Sequence, residues 1–162
     1  MVSETNQTAE AGMMIRQPAS VVYQAFIDPE ITTKFWFTKS TGRLDQNETL
    51  TWTWEMYNVS TEVIVESLEP NKKISILWGG PGEKTHVDWT FTSLDGSRTF
   101  VHIKNHGFKG TLDEIISQVR DSTGGFTTVL DGLKAYLEHN IQLNLVSDKF
   151  PEEISEHGNQ GG

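Results

Sequence analysis

The sequence contains no cysteine among its 162 residues, and this absence excludes several kinds of site. A chain without thiols forms no disulfide, offers no thiolate nucleophile and builds no cysteine zinc site. Basic residues are also scarce, because 13 lysines and arginines stand against 22 acidic residues, for a formal net charge of −9. Nucleic acids and anionic membranes attract clusters of lysine and arginine, so this balance argues against both as partners.

Long apolar runs are missing as well. No stretch approaches the roughly 20 apolar residues of a membrane-spanning helix. The first residues, MVSETNQTAEAG, have neither the basic region nor the apolar region of a signal peptide. We therefore expect a cytoplasmic protein. The length predicts one domain, since a chain of this size buries enough surface to fold without disulfides or metals.

Motifs of the common catalytic and cofactor-binding classes are absent too. The sequence carries no nucleophile elbow, no His-Glu-x-x-His zinc motif and no dinucleotide-binding glycine pattern. His102 and His106 are four residues apart on one predicted strand, which separates them by about 13 Å and points both to solvent. We predict no catalytic residue, no metal and no cofactor.

Four polar residues near the predicted sheet are candidate catalytic groups: Glu55, Tyr57, Asp88 and Asn105. Strand alternation places Glu55 and Asp88 on the solvent face, and Tyr57 lies near a turn. Exposed polar side chains are the norm in folded proteins, so surface positions are the favoured interpretation.

The hydrophobic pattern predicts a short first strand, two short helices, five further strands and a long C-terminal helix. Pro18 and the Asp28-Pro29 pair have the positions of helix starts. Alternating apolar residues, separated by turn sequences such as Asp95-Gly96, then predict an antiparallel meander. These strands cover about residues 48–55, 58–68, 73–79, 84–93 and 98–106.

The helical repeat returns at Thr111, which has the capping-box spacing to Glu114. Gly124 and Gly125 interrupt this repeat, and glycine costs about 1 kcal/mol against alanine inside a helix. We therefore expect a break or kink at 122–125, with Ser122 able to cap the second part. The polar segments 1–11 and 151–162 are expected to be disordered, on either side of a domain of residues 12–150.

One face of each predicted strand is apolar and the other is polar, as Trp52 and Trp54 alternating with Thr51 and Thr53 illustrate. An antiparallel sheet with one solvent-exposed face needs a cover on the other face. The C-terminal helix is the apolar segment long enough to supply it. The pattern therefore predicts an α+β fold, with a curved antiparallel sheet wrapped around that helix.

These elements resemble the START-like helix-grip superfamily, also called SRPBCC proteins, and within it the homologues of the activator of heat-shock-protein-90 ATPase. The resemblance rests on QPASVVYQAFIDPEITTKFWF, GSRTFVHIKNHGF and GGFTTVLDGLKAYLEHNIQLNLV, and covers about residues 12–150. The pair Gly125-Phe126 stands where these homologues normally carry Gly-Trp. The resemblance implies a helix-grip fold with a hydrophobic cavity between sheet and helix. Lipids, sterols, polyketides and flavonoid-like molecules are bound by many members, and a few members are cyclases or hydrolases.

The aromatic residues leave two interpretations open. They could fill the core, since aromatic side chains bury large areas whatever their role. They could instead line a gap between the curved sheet and the helix, as aromatic residues do in ligand pockets. Together with the resemblance, the second interpretation predicts a ligand-binding set of Trp36, Trp52, Trp54, Val63, Trp78, Trp89, Phe91, Phe126 and Leu130.

We therefore predict non-enzymatic binding of a small hydrophobic or aromatic ligand between the sheet and the C-terminal helix. Two alternatives stay open. A co-chaperone-like interaction module would contact a chaperone, which rests on the resemblance alone. An enzyme similar to a polyketide cyclase or a hydrolase would need a polar group that faces the cavity.

Overall fold

The structure is a computed structural model that describes residues 7–154. Its strands follow the alternating segments of the sequence. They are β1 (Ala9–Ile15), β2 (Lys39–Ser40), β3 (Thr49–Trp54), β4 (Val59–Glu69), β5 (Lys73–Gly79), β6 (Thr85–Asp95) and β7 (Arg98–His106). The helices are α1 (Ala19–Ile27), α2 (Pro29–Thr32), α3 (Leu112–His139) and α4 (Leu145–Asp148).

The strands form one antiparallel sheet in the order β1-β7-β6-β5-β4-β3-β2. β3 to β7 is a meander, and β1 closes the other edge by pairing with β7. Register shifts between Val65 and Ser67 and between Ser93 and Asp95 interrupt the ladders. Because such bulges bend a strand and increase its twist, they help the sheet to curve around α3. The predicted α+β helix-grip fold is confirmed.

The helix starts follow the capping signals of the sequence. The Asp28 carboxylate accepts a hydrogen bond from the Glu30 amide at 3.0 Å, ahead of α2. At α3, the Thr111 hydroxyl accepts from the Glu114 amide at 3.2 Å, and the Glu114 carboxylate accepts from the Thr111 amide at 2.7 Å. The predicted capping box is therefore present, and it satisfies two amide groups that a helix start leaves without partners.

The long helix α3 differs from the prediction, because it runs unbroken through Gly124 and Gly125. The expected break at 122–125 is wrong, and Ser122 does not cap a second helix. Buried side chains on both sides of the glycines anchor α3 to the sheet, from Ile115 to Leu133. Tertiary packing of this kind commonly outweighs local propensity.

The segment before the predicted domain also differs from the expectation of disorder. β1 begins at Ala9, which is 2% exposed and pairs with Asn105 of β7. Alternating side chains of β1 are buried, so residues 9–11 belong to the sheet and are not disordered. Residues 151–154 contain a short turn, and the predictions for residues 1–6 and 155–162 lie outside the described residues.

The main hydrophobic core lies between the inner face of the sheet, α1 and α3. Its members alternate along the strands and repeat at helical spacing along α3, so the intervening strand residues, most of them polar, lie on the outer sheet face. None of the helices within residues 7–154 combines the length and the apolar composition that crossing a membrane requires. Core members with little exposed surface include Ile15, Val22, Phe26, Ile74, Ile76, Val101, Ile103, Leu130 and Leu133.

Candidate ligand-binding site

A cavity of about 510 Å³ lies between the inner face of the sheet and α3. Ligand pockets usually enclose about 300–1,000 Å³, so the volume suits a small organic molecule. Most of its lining comes from three parts of the chain: the sheet with the loop after α2, the middle of α3, and the segment after α3. They contribute, among others, Trp36, Trp54, Trp78, Thr85 and Asn105, then Ser122, Gly124, Gly125 and Phe126, then Val146, Lys149 and Phe150.

Four residues of the predicted binding set form an aromatic wall of the cavity: Trp36, Trp54, Trp78 and Phe126. The centre of the Trp36 ring lies 6.2 Å from Trp54 and 5.9 Å from Trp78. The Phe126 ring, on α3, lies 5.8 Å from Trp36 and 5.7 Å from Trp78. Tilted and edge-to-face contacts of this kind stabilise aromatic clusters, so the wall is fixed by its own packing.

The other five residues of the predicted set, Trp52, Val63, Trp89, Phe91 and Leu130, do not line this cavity. The four strand residues among them point to the inner side of the sheet, as strand alternation predicted, and Leu130 lies on α3. Other side chains cover all five. Trp52 stacks on Phe37 with ring centres 4.6 Å apart. Strand alternation predicts the face of the sheet on which a side chain lies. It does not predict whether that side chain is covered, because the covering residues come from other parts of the chain.

The glycines of α3 explain why one part of this interface is open. A Cβ atom placed on Gly125 would meet no atom within 4 Å, and one on Gly124 would meet the Lys149 Nζ at 3.7 Å. Gly132, two turns further along, is different, since its Cβ would lie 3.2 Å from the Phe35 Cβ. The glycine pair thus leaves room for the cavity, whereas Gly132 allows close packing.

A polar cluster lies at one end of the cavity and consists of Thr85, Asn105 and Ser122. Asn105 is 3% exposed, and its Nδ2 donates to the Thr85 Oγ1 at 2.9 Å and to the His86 carbonyl at 2.8 Å. The Ser122 hydroxyl donates to the Asn105 Oδ1 at 2.7 Å. The three side chains therefore hold one another in place beside an otherwise aromatic wall.

The surface position favoured for Asn105 is wrong, because its side chain is 3% exposed and lines the cavity. Thr85 and Ser122 were not predicted as site residues. Thr85 shares the strand parity of Val87 and Trp89, which predicts an inward position. Ser122 lies one helical turn before Phe126, on the same side of α3. Both signals were available from spacing, but neither residue carries an apolar side chain that marks a buried position.

The segment after α3 covers one side of the cavity. The Tyr57 hydroxyl donates a hydrogen bond to the Val146 carbonyl, and the Tyr57 and Phe150 rings lie 6.1 Å apart. Burial raises the pKa of Tyr57, so the phenol keeps its proton for this bond at neutral pH. The Lys149 Nζ lies 3.4 Å from the Thr128 Oγ1 of α3. Side chains from both flanking elements thus hold the segment.

The charged residues that line the cavity balance one another. Arg120 and Lys149 carry positive charge, Glu83 and Asp121 carry negative charge, and all four are exposed. Exposed positions place these charges at the rim, where water screens them. The rim therefore has no formal net charge from these side chains.

The remaining polar candidates lie away from the cavity. Glu55 is exposed and pairs with Lys39 at 3.4 Å. Asp88 pairs with His106 at 3.0 Å on the outer face of the sheet, and the His106 ring stacks on His86 with centres 5.1 Å apart. The outer-face position of Asp88 agrees with strand alternation, and Glu55 is exposed in a 3-10 turn after the end of β3. The stacking of the two histidines depends on strand register and was not predicted.

No curated protein matches this sequence. Among solved structures, SSP2350 from Staphylococcus saprophyticus is similar, with 27% identity, a TM-score of 0.73, and coverage of 85% of this chain and 96% of that chain. DynU16, a protein of the dynemicin biosynthetic locus, has 16% identity, a TM-score of 0.73, and coverage of 85% of this chain and 49% of that chain.

PFC0360w, an HSP90 activator from Plasmodium falciparum, has 13% identity, a TM-score of 0.65, and coverage of 82% of this chain and 97% of that chain. At such identities, DynU16 and PFC0360w show a shared fold alone. The sequence itself matches the family described as "Activator of Hsp90 ATPase homolog 1-like protein" over residues 16–138. The chain belongs to this family, the homologues of the activator of Hsp90 ATPase.

Proposed function

We propose that this protein binds a small, largely apolar ligand in the cavity between the sheet and α3. The observation that carries the proposal is a cavity of about 510 Å³ with an aromatic wall and one polar end. An apolar wall supplies the free energy of burial, and a few fixed polar groups select orientation. The same combination is common in sites that bind small organic molecules.

Binding is better supported than catalysis by the chemistry of the polar end. Nucleophilic catalysis by a hydroxyl needs an adjacent general base. The Ser122 hydroxyl instead donates to the amide oxygen of Asn105 at 2.7 Å, and an amide oxygen is not a base at neutral pH. The three side chains of this cluster are neutral hydrogen-bonding groups, which suits them to hold a ligand in place.

Contact with a chaperone is the alternative that the family description raises, and an enzymatic role is the second. Each of these alternatives rests on relatives, whereas the cavity is a feature of this chain. A cytoplasmic location also stays a prediction from the sequence. We therefore place the ligand in the cavity and use the cavity itself for the test.

The test fills the cavity by one substitution. N-phenyl-1-naphthylamine, a neutral fluorescent probe, should bind saturably at one site per chain and quench tryptophan emission. Affinity near micromolar corresponds to about −8 kcal/mol, a reasonable value for a ligand of this size. Gly125→Leu adds a side chain where an added Cβ atom meets no neighbour within 4 Å, so it should occupy the cavity and weaken probe binding at least about tenfold.

Thr127→Leu is the matched control, because Thr127 is an exposed residue of the same helix. This variant should bind the probe as the wild-type protein does. A second pair compares Trp54→Ala in the aromatic wall with Thr53→Ala on the other face of β3, and the first should weaken binding more. Equal affinity of wild type and Gly125→Leu, or absence of saturable binding, would contradict the proposed function.

A further inference from the structure

We propose that the ligand is a neutral molecule carrying a hydroxyl or phenol group, and that Thr85 and Ser122 recognise this group at the polar end of the cavity. The inference rests on the proposed function and specifies its ligand class. It follows from counting the hydrogen-bond donors and acceptors around Asn105, which is 3% exposed and holds both hydroxyls by its amide.

The orientation of the Asn105 amide is fixed by its surroundings. The His86 carbonyl lies 2.8 Å from one end of the amide and can accept but not donate, so this end is the NH2 group. The second hydrogen of that group goes to the Thr85 Oγ1 at 2.9 Å. The amide oxygen consequently points to Ser122, whose hydroxyl must donate to it at 2.7 Å.

This arrangement leaves the Thr85 hydroxyl proton as a donor, and the lone pairs of the Ser122 oxygen as acceptors, for a ligand. The Thr85 oxygen accepts from Asn105, and the described part of the chain supplies no acceptor for the Thr85 hydroxyl proton. Ser122 uses its proton on Asn105, so the lone pairs of its oxygen remain. A group that accepts from Thr85 and donates to Ser122 satisfies both, and a hydroxyl does so with one oxygen atom.

A carboxylate fits this end less well than a hydroxyl. An ionised carboxylate has no proton to donate, and its charge would lie next to the oxygens of Ser122 and Asn105. Burial of a charge without a partner is costly. The rim offers no net positive charge to compensate, because Arg120 and Lys149 are balanced by Glu83 and Asp121. The ligand is therefore neutral, with its hydroxyl at the Asn105 end and its apolar body along the aromatic wall.

The experiment compares three naphthalenes that differ in one group. 2-Naphthol, 2-methylnaphthalene and 2-naphthoate are titrated against bound N-phenyl-1-naphthylamine, and the ratio of the 2-naphthol and 2-methylnaphthalene affinities is measured. Thr85→Val removes the hydroxyl at nearly constant shape and should lower this ratio about three- to tenfold, the effect of one neutral hydrogen bond. Thr85→Ser should restore it. 2-Naphthoate should bind more weakly than 2-naphthol.

Thr127→Val is the matched control on the same helix, at an exposed position outside the cavity lining. The Thr127 hydroxyl already donates to the Thr123 carbonyl at 2.7 Å, so its loss should change the ratio less than about twofold. Ser122→Ala should lower the ratio as Thr85→Val does, and it carries the test if the Thr85 variant fails to fold. Unchanged ratios in both variants would overturn this inference and leave ligand binding intact. Failure of the probe and of all three naphthalenes to bind would overturn ligand binding itself.

Discussion

The interface between the sheet and α3 has two halves that are built from similar residues and packed in opposite ways. In the closed half, Leu130 and Leu133 are 1% and 0% exposed, and Phe26 of α1 packs against Phe91 with ring centres 6.1 Å apart. In the open half, around Gly125, the aromatic residues face a cavity of about 510 Å³. An inward aromatic residue is therefore equally compatible with a filled core and with a binding site.

The difference between the halves comes from what lies above the sheet. α1 and the loop after α2 bring Phe26 and Phe35 over the closed half, with ring centres 5.6 Å apart. The segment of α3 over the open half carries Gly124 and Gly125, which have no side chains to fill the space beneath them. In the closed half, Phe26 and Phe35 fill the corresponding space. Substitutions that change side-chain volume should consequently affect stability in the closed half and ligand binding in the open half.

The largest expected effect is that of Leu133→Ala in the closed half. Leu133 is 0% exposed, and burial of this kind makes leucine truncation cost about 2–5 kcal/mol. Thr128→Ala in the open half borders the cavity and should cost less than about 1 kcal/mol. Urea unfolding of both variants gives the comparison. A cost below about 0.5 kcal/mol for Leu133→Ala would show that α3 is not a core element there.

A second effect concerns Glu138, which ties the end of α3 to the end of β1. Its carboxylate, with 8% of the side chain exposed, accepts from the Arg16 amide and the Lys134 Nζ, both at 2.7 Å. Burial alone raises the pKa of Glu138, but these bonds lower it more, so that pKa lies below the ordinary 4.5. A lowered pKa means that the unfolded state binds protons more readily. The carboxylate therefore stabilises the fold above pH 4.5, and this contribution is lost as the pH falls through the folded pKa.

Glu138→Gln keeps the shape of the side chain and removes its charge. The variant should be about 1–3 kcal/mol less stable than wild type at neutral pH, because its amide oxygen accepts weaker hydrogen bonds than the charged carboxylate does. The difference in free energy of unfolding between wild type and variant should become smaller as the pH falls below 4.5. Glu10, Asp95 and Glu114 also have lowered pKa values, but they titrate in both proteins and cancel in the comparison. A difference in free energy of unfolding that stays constant from neutral pH to below pH 4.5 would contradict this role of Glu138.

The elements of the fold could be predicted because their signals are local. The alternation of β6 and β7, and the capping box at Thr111 and Glu114, depend on residues close in sequence. The break expected at Gly124-Gly125 was wrong because it was predicted from local helix propensity alone. Packing of α3 against the sheet, which is distant in sequence, stabilises the helix more than the two glycines destabilise it. β2 was missed, since its two residues are too few for a pattern.

The candidate site could be predicted only in part, for a related reason. Strand parity gives the inward direction of Trp52 and Trp54 alike. Trp52 is covered by Phe37 from the loop after α2, whereas Trp54 borders the cavity. The contact between Asn105 and Ser122 joins β7 to α3 across the fold. Such contacts depend on three-dimensional packing between residues far apart in sequence, which local spacing does not determine.

The smallest effects give the sharpest comparison of the two halves. A glycine-to-alanine substitution should raise the free energy of unfolding in the open half and lower it in the closed half. Gly125→Ala places a methyl group in open space, and alanine is favoured over glycine in a helix by about 1 kcal/mol, so the free energy of unfolding should rise by up to that amount.

Gly132→Ala gains the same propensity, but its Cβ would lie 3.2 Å from the Phe35 Cβ and 3.4 Å from the Phe35 carbonyl oxygen. These atoms belong to or adjoin the backbone and cannot swing aside, and overpacking of this kind costs about 1–3 kcal/mol. Gly132→Ala should therefore lower the free energy of unfolding, while leaving the affinity for N-phenyl-1-naphthylamine unchanged. Urea unfolding of both variants measures the signs, and a shift of both in one direction would show that the two glycines do not divide the interface as the structure indicates.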